Sequence, residues 1–152
     1  MHLGNYLGLL ENSEKQLARA FDKVSRHHQD EPDIEQMCQK LSAWSVRHGG
    51  QLQPFLVRYA DSRSPEPAAM EKVLFGQPRS GSLALLRDLH DLWLLTNEVK
   101  LCWDIIGNAA LALRDKELEA TCTACEAETK RQLDWLLGRI KQAAPQALVV
   151  AA

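Results

Sequence analysis

Residues 3–28 read LGNYLGLLENSEKQLARAFDKVSRHH, and their apolar positions recur at steps of three and four. Leu7, Leu10, Leu17, Phe21 and Val24 form one stripe, the signature of an amphipathic helix packed on a core. The stripe has one interruption. Glu14 stands where the spacing demands a hydrophobic side chain. A carboxylate in a core is costly unless a cation or hydrogen bonds compensate it, so Glu14 is as informative as the leucines around it.

The same pattern continues along the chain. Asp30-Glu31-Pro32-Asp33 breaks the first helix and starts a second, with Pro in the first turn and acids at the positive helix end. The second helix is expected over about Asp33–Tyr59, with Ile34, Met37, Leu41, Trp44 and His48 on one stripe, continued by Leu52 and Phe55. Gly49, Gly50 and Pro54 weaken its latter half. Residues 61–79 carry Pro65, Pro67, Gly76 and Pro78 and read as a long connection. A third helix starts near Ser80 or Ser82 and reaches about Leu113, with Leu94, Glu98, Leu101, Ile105 and Ala112 as its expected inward stripe. Asp115 is placed to cap a fourth helix that runs to about Ala143, before Pro145. Its register has two readings. One is apolar, through Leu118, Cys122, Cys125, Thr129, Leu133, Leu136 and Ile140. The other is more polar, through Leu118, Thr121, Cys125, Glu128, Gln132 and Trp135.

Four helices in 152 residues predict an all-α four-helix bundle in a single domain, residues 1–152. Two short turns and one long link predict two antiparallel hairpins. A helix of this length is about 40 Å long, and the link is long enough to span it. The expectation is one crossover between helices two and three, the ferritin-like arrangement. An up-down-up-down bundle stays open as the other topology.

A net charge of −2 and scattered basic residues give no footprint for nucleic acid. No apolar run is long enough to cross a membrane. The opening residues lack the pattern of a signal peptide, and four cysteines make no disulfide scaffold. The expected location is therefore cytoplasmic.

Glu14, His48, Glu98 and Glu128 fall near the midpoints of the four helices at matching distances from the two hairpin turns. They predict a polar layer of three carboxylates and one imidazole. Di-iron carboxylate bundles place one Glu on each of two helices and a Glu-x-x-His on each of the others. Here helix two reads Ser45-Val46-Arg47-His48 and helix four reads Glu128-Thr129-Lys130-Arg131. Ser45 and Arg131 thus stand where that pattern has Glu and His. An inward Arg131 would neutralise Glu128 or Glu98 in place of a metal.

Tyr6-Leu7-Gly8-Leu9-Leu10-Glu11-Asn12-Ser13-Glu14-Lys15-Gln16-Leu17 resembles the first helix of a small bacterial ferritin-like family linked to stress responses. Leu41 to Leu52 is similar to its second helix, and Glu126-Ala127-Glu128 to the start of its fourth-helix motif. The resemblance implies a ferritin-like fold and, in members with a full ligand set, a dinuclear iron or manganese site. Carried over, it selects Glu14, His48, Glu98 and Glu128 as metal positions. With two ligands replaced, the expectation is no resident cofactor, and a single weak iron or manganese site is the other outcome. The functional expectation is a non-enzymatic role in stress physiology or protein interaction. The alternatives are a carboxylate-bridged oxidase or peroxide scavenger, and a helical adaptor.

Cys122-x-x-Cys125 lies within a helix rather than at its N-terminus, so core packing is the expected role. His90 is expected to be interfacial or partly buried. Trp103 is expected to mark a dimer face, and a homodimer through a bundle face is the partner reading. The tail Ala147–Ala152 is expected to pack back on the bundle or fray.

Overall fold

The computed structural model is described over residues 1–63 and 79–151. It is an all-α four-helix bundle: α1 Leu3–His27, α2 Pro32–Arg58, α3 Ala84–Leu113 and α4 Lys116–Pro145. A short 3-10 turn follows α2 at Ala60–Ser62, and a π-helical turn, Gln146–Val150, follows α4.

The local chemistry accounts for the boundaries. Pro32 opens α2 with Asp33 and Glu35 in its first turn, where their charges meet the helix dipole favourably. Asp115 is the N-cap of α4 and accepts a hydrogen bond from the Leu118 N–H at 3.1 Å. It also accepts from the Tyr59 hydroxyl at 2.6 Å and from Arg58 at 2.8 Å, tying the α3–α4 turn to the end of α2. Arg114 makes that turn in the left-handed region, at φ 57°. The Asp115 N–H returns to the Ala110 carbonyl at 3.0 Å, which closes the end of α3.

Cross-helix contacts fix the topology. Ser25 bonds the Glu35 carbonyl, Ser42 the Ala18 carbonyl, and Gln53 reaches Glu11, so α1 and α2 are antiparallel. His28 meets Asp88 while Glu14 meets Trp103, so α1 and α3 are antiparallel as well. Helices α2 and α3 therefore run in the same direction. On the remaining side Arg139 pairs with Asp33, Gln132 with Ser45 and Arg58 with Asp115, making α2 and α4 antiparallel. After α2 the chain sits at the start of α1, where the Gly4 N–H donates to Ser62 Oγ at 2.8 Å. Arg79, ahead of α3, bonds Asp88 at the opposite end. The connection between helices two and three joins opposite ends of the bundle, as the sequence predicts. The positions Pro65, Pro67, Gly76 and Pro78 lie outside the described residues. Gly4 is required where the post-α2 chain presses on α1, because a Cβ there would lie 2.6 Å from the Tyr59 carbonyl oxygen.

The α1 stripe is inward throughout, Glu14 included, and α4 adopts its more apolar register. The expected α3 stripe is corrected. Leu94, Leu101 and Ile105 are exposed at 45%, 58% and 38%. The core face of α3 is instead Leu89, Leu92, Val99, Trp103, Ile106 and Ala110, all at 0%. Nine residues separate Leu94 from Trp103, two and a half helical turns, so the two stripes are on opposite sides. Helix α3 has apolar side chains on both, and spacing alone does not choose between them. Trp103 is accordingly a core residue and marks no outer face. His90 is exposed and not partly buried in the single chain. The tail winds into its π turn with Leu148, Val149 and Val150 largely exposed.

Candidate functional site

The centre of the bundle holds a polar layer. Glu14 of α1 and His48 of α2 are completely buried, because each replaces an apolar residue on an inward stripe. His48 Nδ1 lies 3.2 Å from Glu14 Oε1. His48 Nε2 lies 3.3 Å from Glu128 Oε1 on α4. Trp103 of α3 donates its indole N–H to Glu14 Oε1 at 2.9 Å, and its ring stands edge-on to the imidazole with centroids 6.1 Å apart. Each helix thus contributes one member: a carboxylate, an imidazole, an indole N–H and a second carboxylate.

The hydrogen count follows from the geometry. A neutral imidazole has one donor and one acceptor nitrogen, yet both nitrogens of His48 face carboxylate oxygens. The chain of contacts is satisfied when the layer holds one more proton than a neutral imidazole between two carboxylates. Either His48 carries both hydrogens or one carboxyl is neutral. Glu128 forms the outer rim, partly open to solvent, and pairs with the exposed guanidinium of Arg47. Burial acts to raise the Glu128 carboxyl, but hydrogen bonds from Arg47 and His48 outweigh it and hold the group below its ordinary range. Glu14 Oε2 is buried and has no hydrogen-bond partner among the described residues.

The structure brings together three of the four sequence-selected residues, Glu14, His48 and Glu128. Glu98 is half-buried on the other side of α3, and the third helix contributes Trp103 in its place. Ser45 is buried and accepts a hydrogen bond from Gln132 Nε2 at 3.1 Å; the same amide reaches the Leu41 carbonyl at 3.0 Å. Arg131 is exposed, which overturns the reading that it neutralises the layer. The cation that reaches Glu128 is Arg47, one residue before His48 and on the rim side of α2. Among the described residues, no group of three or more His, Cys, Asp or Glu side chains has a metal-holding arrangement.

No protein-family model, curated protein or solved structure matches this chain. The residues themselves therefore carry the functional argument.

The cysteines are core residues. Burial pushes Cys122 and Cys125 up to about 12, far from the thiolate range that redox chemistry needs. Cys125 donates to Gln51 Oε1 at 3.0 Å.

A second polar cluster escaped the sequence reading. His28 Nε2 meets Asp88 Oδ2 at 2.8 Å, and Arg79 bonds Asp88 at 2.8 Å and pairs with Asp91. Asp88 is buried among Leu85, Leu89 and Leu92 along α3, the same kind of interruption that makes Glu14 visible. Beside it lies a cavity of about 480 Å³ lined by residues including His28, Glu31, Leu85, Arg139 and Gln142. Burial acts to raise the Asp88 carboxyl, but hydrogen bonds from His28 and Arg79 prevail and lower it from the ordinary 3.8.

Two predictions follow from these clusters. Glu14→Leu strands the Trp103 N–H and the His48 Nδ1 atom in the core, and each buried polar group left unpaired costs about 1–3 kcal/mol, whether it is a donor or an acceptor. A loss of about 2–5 kcal/mol in urea unfolding is expected. Replacing Glu14, His48 and Trp103 together by Leu, Leu and Phe should recover most of it. For Asp88 the folded-state carboxyl is lowered, so its stabilisation is complete above 3.8 and is lost as pH falls through the folded value. Asp88→Asn should cost about 3 kcal/mol at neutral pH, and thermal melts should show the gap to wild type closing as acid is added.

Proposed function

We propose that this chain is a ferritin-like bundle whose central layer is held by hydrogen bonds and protons, and that it acts non-enzymatically, in stress physiology or protein interaction. The observation that carries the reading is the Trp103 indole N–H, 2.9 Å from Glu14 Oε1. A metal needs oxygen or nitrogen lone pairs pointed at it. Here an N–H donor is pointed at the oxygen that would serve, on the one helix that should add another carboxylate.

The remaining residues favour the same reading. A dinuclear carboxylate site draws on four carboxylates and two imidazoles. The layer has two carboxylates and one imidazole. A ligating His gives one nitrogen to the metal and orients itself through the other, whereas both nitrogens of His48 face carboxylates. These residues do not fit a dinuclear iron or manganese centre. The ferritin-like assignment rests on the one-crossover topology and on the resemblance of Tyr6–Leu17.

One observation favours a second reading. Glu14 Oε2 is buried and has no partner among the described residues, which leaves one lone-pair site for a single weakly held ion. A carboxylate-bridged oxidase or peroxide scavenger would need more ligands than this.

Metal analysis separates the readings. Protein purified without chelator should contain well under one Fe, Mn or Zn per chain. Anaerobic addition of ferrous iron followed by air should give no oxo-bridged absorption band. Two tightly bound irons per chain would refute the hydrogen-bonded layer, and one ion per chain that a chelator readily removes would establish the second reading.

A further inference from the structure

The outer face of α3 carries an ordered seam. Leu94, Glu98, Leu101, Ile105, Asn108 and Ala112 follow one another at alternating steps of four and three, the heptad spacing by which one helix packs along another. On an ordinary amphipathic helix that seam faces the core. In α3 it faces away from it: Leu94, Leu101 and Ile105 are exposed, as are Asn108 and Ala112, with Glu98 half-buried. The core is already served by the opposite face. A solvated helix face gains nothing from heptad leucines and isoleucine, so the spacing points to a helix packed on the outside.

The residue types along the seam suit a second copy of the same helix. Every seam position has a counterpart equally distant from residue 103: Leu94 with Ala112, Glu98 with Asn108, Leu101 with Ile105. An antiparallel second copy of α3, related by a two-fold axis at that level, therefore sets each seam residue against another. The apolar residues meet apolar residues. Glu98 meets Asn108, whose amide has two N–H donors and uses one on the Asp104 carbonyl at 2.9 Å. A parallel copy would instead place Glu98 against Glu98, a like-charge contact within the seam.

The surface shape agrees with this register. An apolar groove of about 310 Å³ lies at the Ala112 end of the seam, lined by residues including Tyr6, Ile105, Ala109, Ala112 and Leu113. The antiparallel register delivers the second copy's Leu94 to that place. Two-fold symmetry makes the insertion reciprocal.

We propose that α3 is a homodimer interface, formed by an antiparallel second copy of this chain with Leu94 of each protomer seated in the groove beside Ala112 of the other. The surface is isologous and needs no other component. Glu98 is then a seam residue that binds the second copy's Asn108, which is why it lies away from the central layer.

The test is sedimentation equilibrium of the full chain. Wild type should sediment at twice the 17.1 kDa chain mass, and Leu101→Asp should halve the mass to 17.1 kDa. Because Leu101 is exposed in the single chain, Leu101→Asp should keep the helical circular dichroism signal. The register has its own test, valid even if that variant misfolds. Under an added thiol oxidant, a mixture of Leu94→Cys and Ala112→Cys proteins should cross-link into a dimer, and neither should cross-link alone. A wild type that is monomeric at every soluble concentration overturns the proposal. So does a dimer indifferent to Leu101→Asp, or Leu94→Cys joining itself.

Discussion

A carboxylate in the middle of the bundle is the constraint on which the rest depends. Glu14 has no access to water, and a buried charge left alone would cost several kcal/mol. Its Oε1 is met by Trp103 and His48, and hydrogen bonds contribute about 0.5–1.5 kcal/mol each, or about 1.5–3 kcal/mol where one partner is charged. Meeting that demand fixes the rotation of three helices. Helix α2 must turn His48 inward, α3 must turn Trp103 inward, and α4 must bring Glu128 to the second imidazole nitrogen. Leucines alone tolerate sliding and rotation far better than such a set of directed contacts, so the polar layer sets register where the apolar stripes leave it loose.

The consequences extend to the outside. Once Trp103 is inward, the face nine residues out of phase with it is outward, and Leu94, Leu101 and Ile105 are left at the surface. Helix α3 is thus apolar on two sides for two different reasons. The bundle ends are fastened separately: Asp115 gathers Arg58, Tyr59 and the start of α4 at one end. Asp88 gathers His28 and Arg79 at the other.

Much of this was legible in the residues. The α1 stripe contains a single misfit, and Glu14 is where that misfit places it. His48 was found in the same way. The crossover was legible because a Pro-rich connection of that length separates two tight turns. What could not be read was α3. Its two apolar stripes have equal periodicity, and the one containing a carboxylate looked like the continuation of the layer. The real partner was Trp103, an apolar residue by composition whose indole N–H becomes decisive only when a buried acceptor faces it. Arg47 was missed for a related reason. Residues at the rim of a core are neither on the stripe nor opposite it, and the long Arg47 side chain reaches a carboxylate on a different helix. Arg131 matched a motif position but lies on the solvent side of α4. The His28–Asp88 pair joins the end of one helix to the start of another 60 residues later, and no local pattern connects them.

We infer that hydrogens, not a metal ion, hold the Glu14–His48–Glu128 layer together. Nitrogen-15 NMR of the His48 ring, with the Trp103 indole N–H observed in the same sample, tests it most directly. A protected Trp103 N–H is expected, with His48 ring signals that stay unchanged when Zn²⁺ or Mn²⁺ is added. A stoichiometric shift or paramagnetic loss of the His48 signals, with release of the Trp103 hydrogen bond, would contradict it.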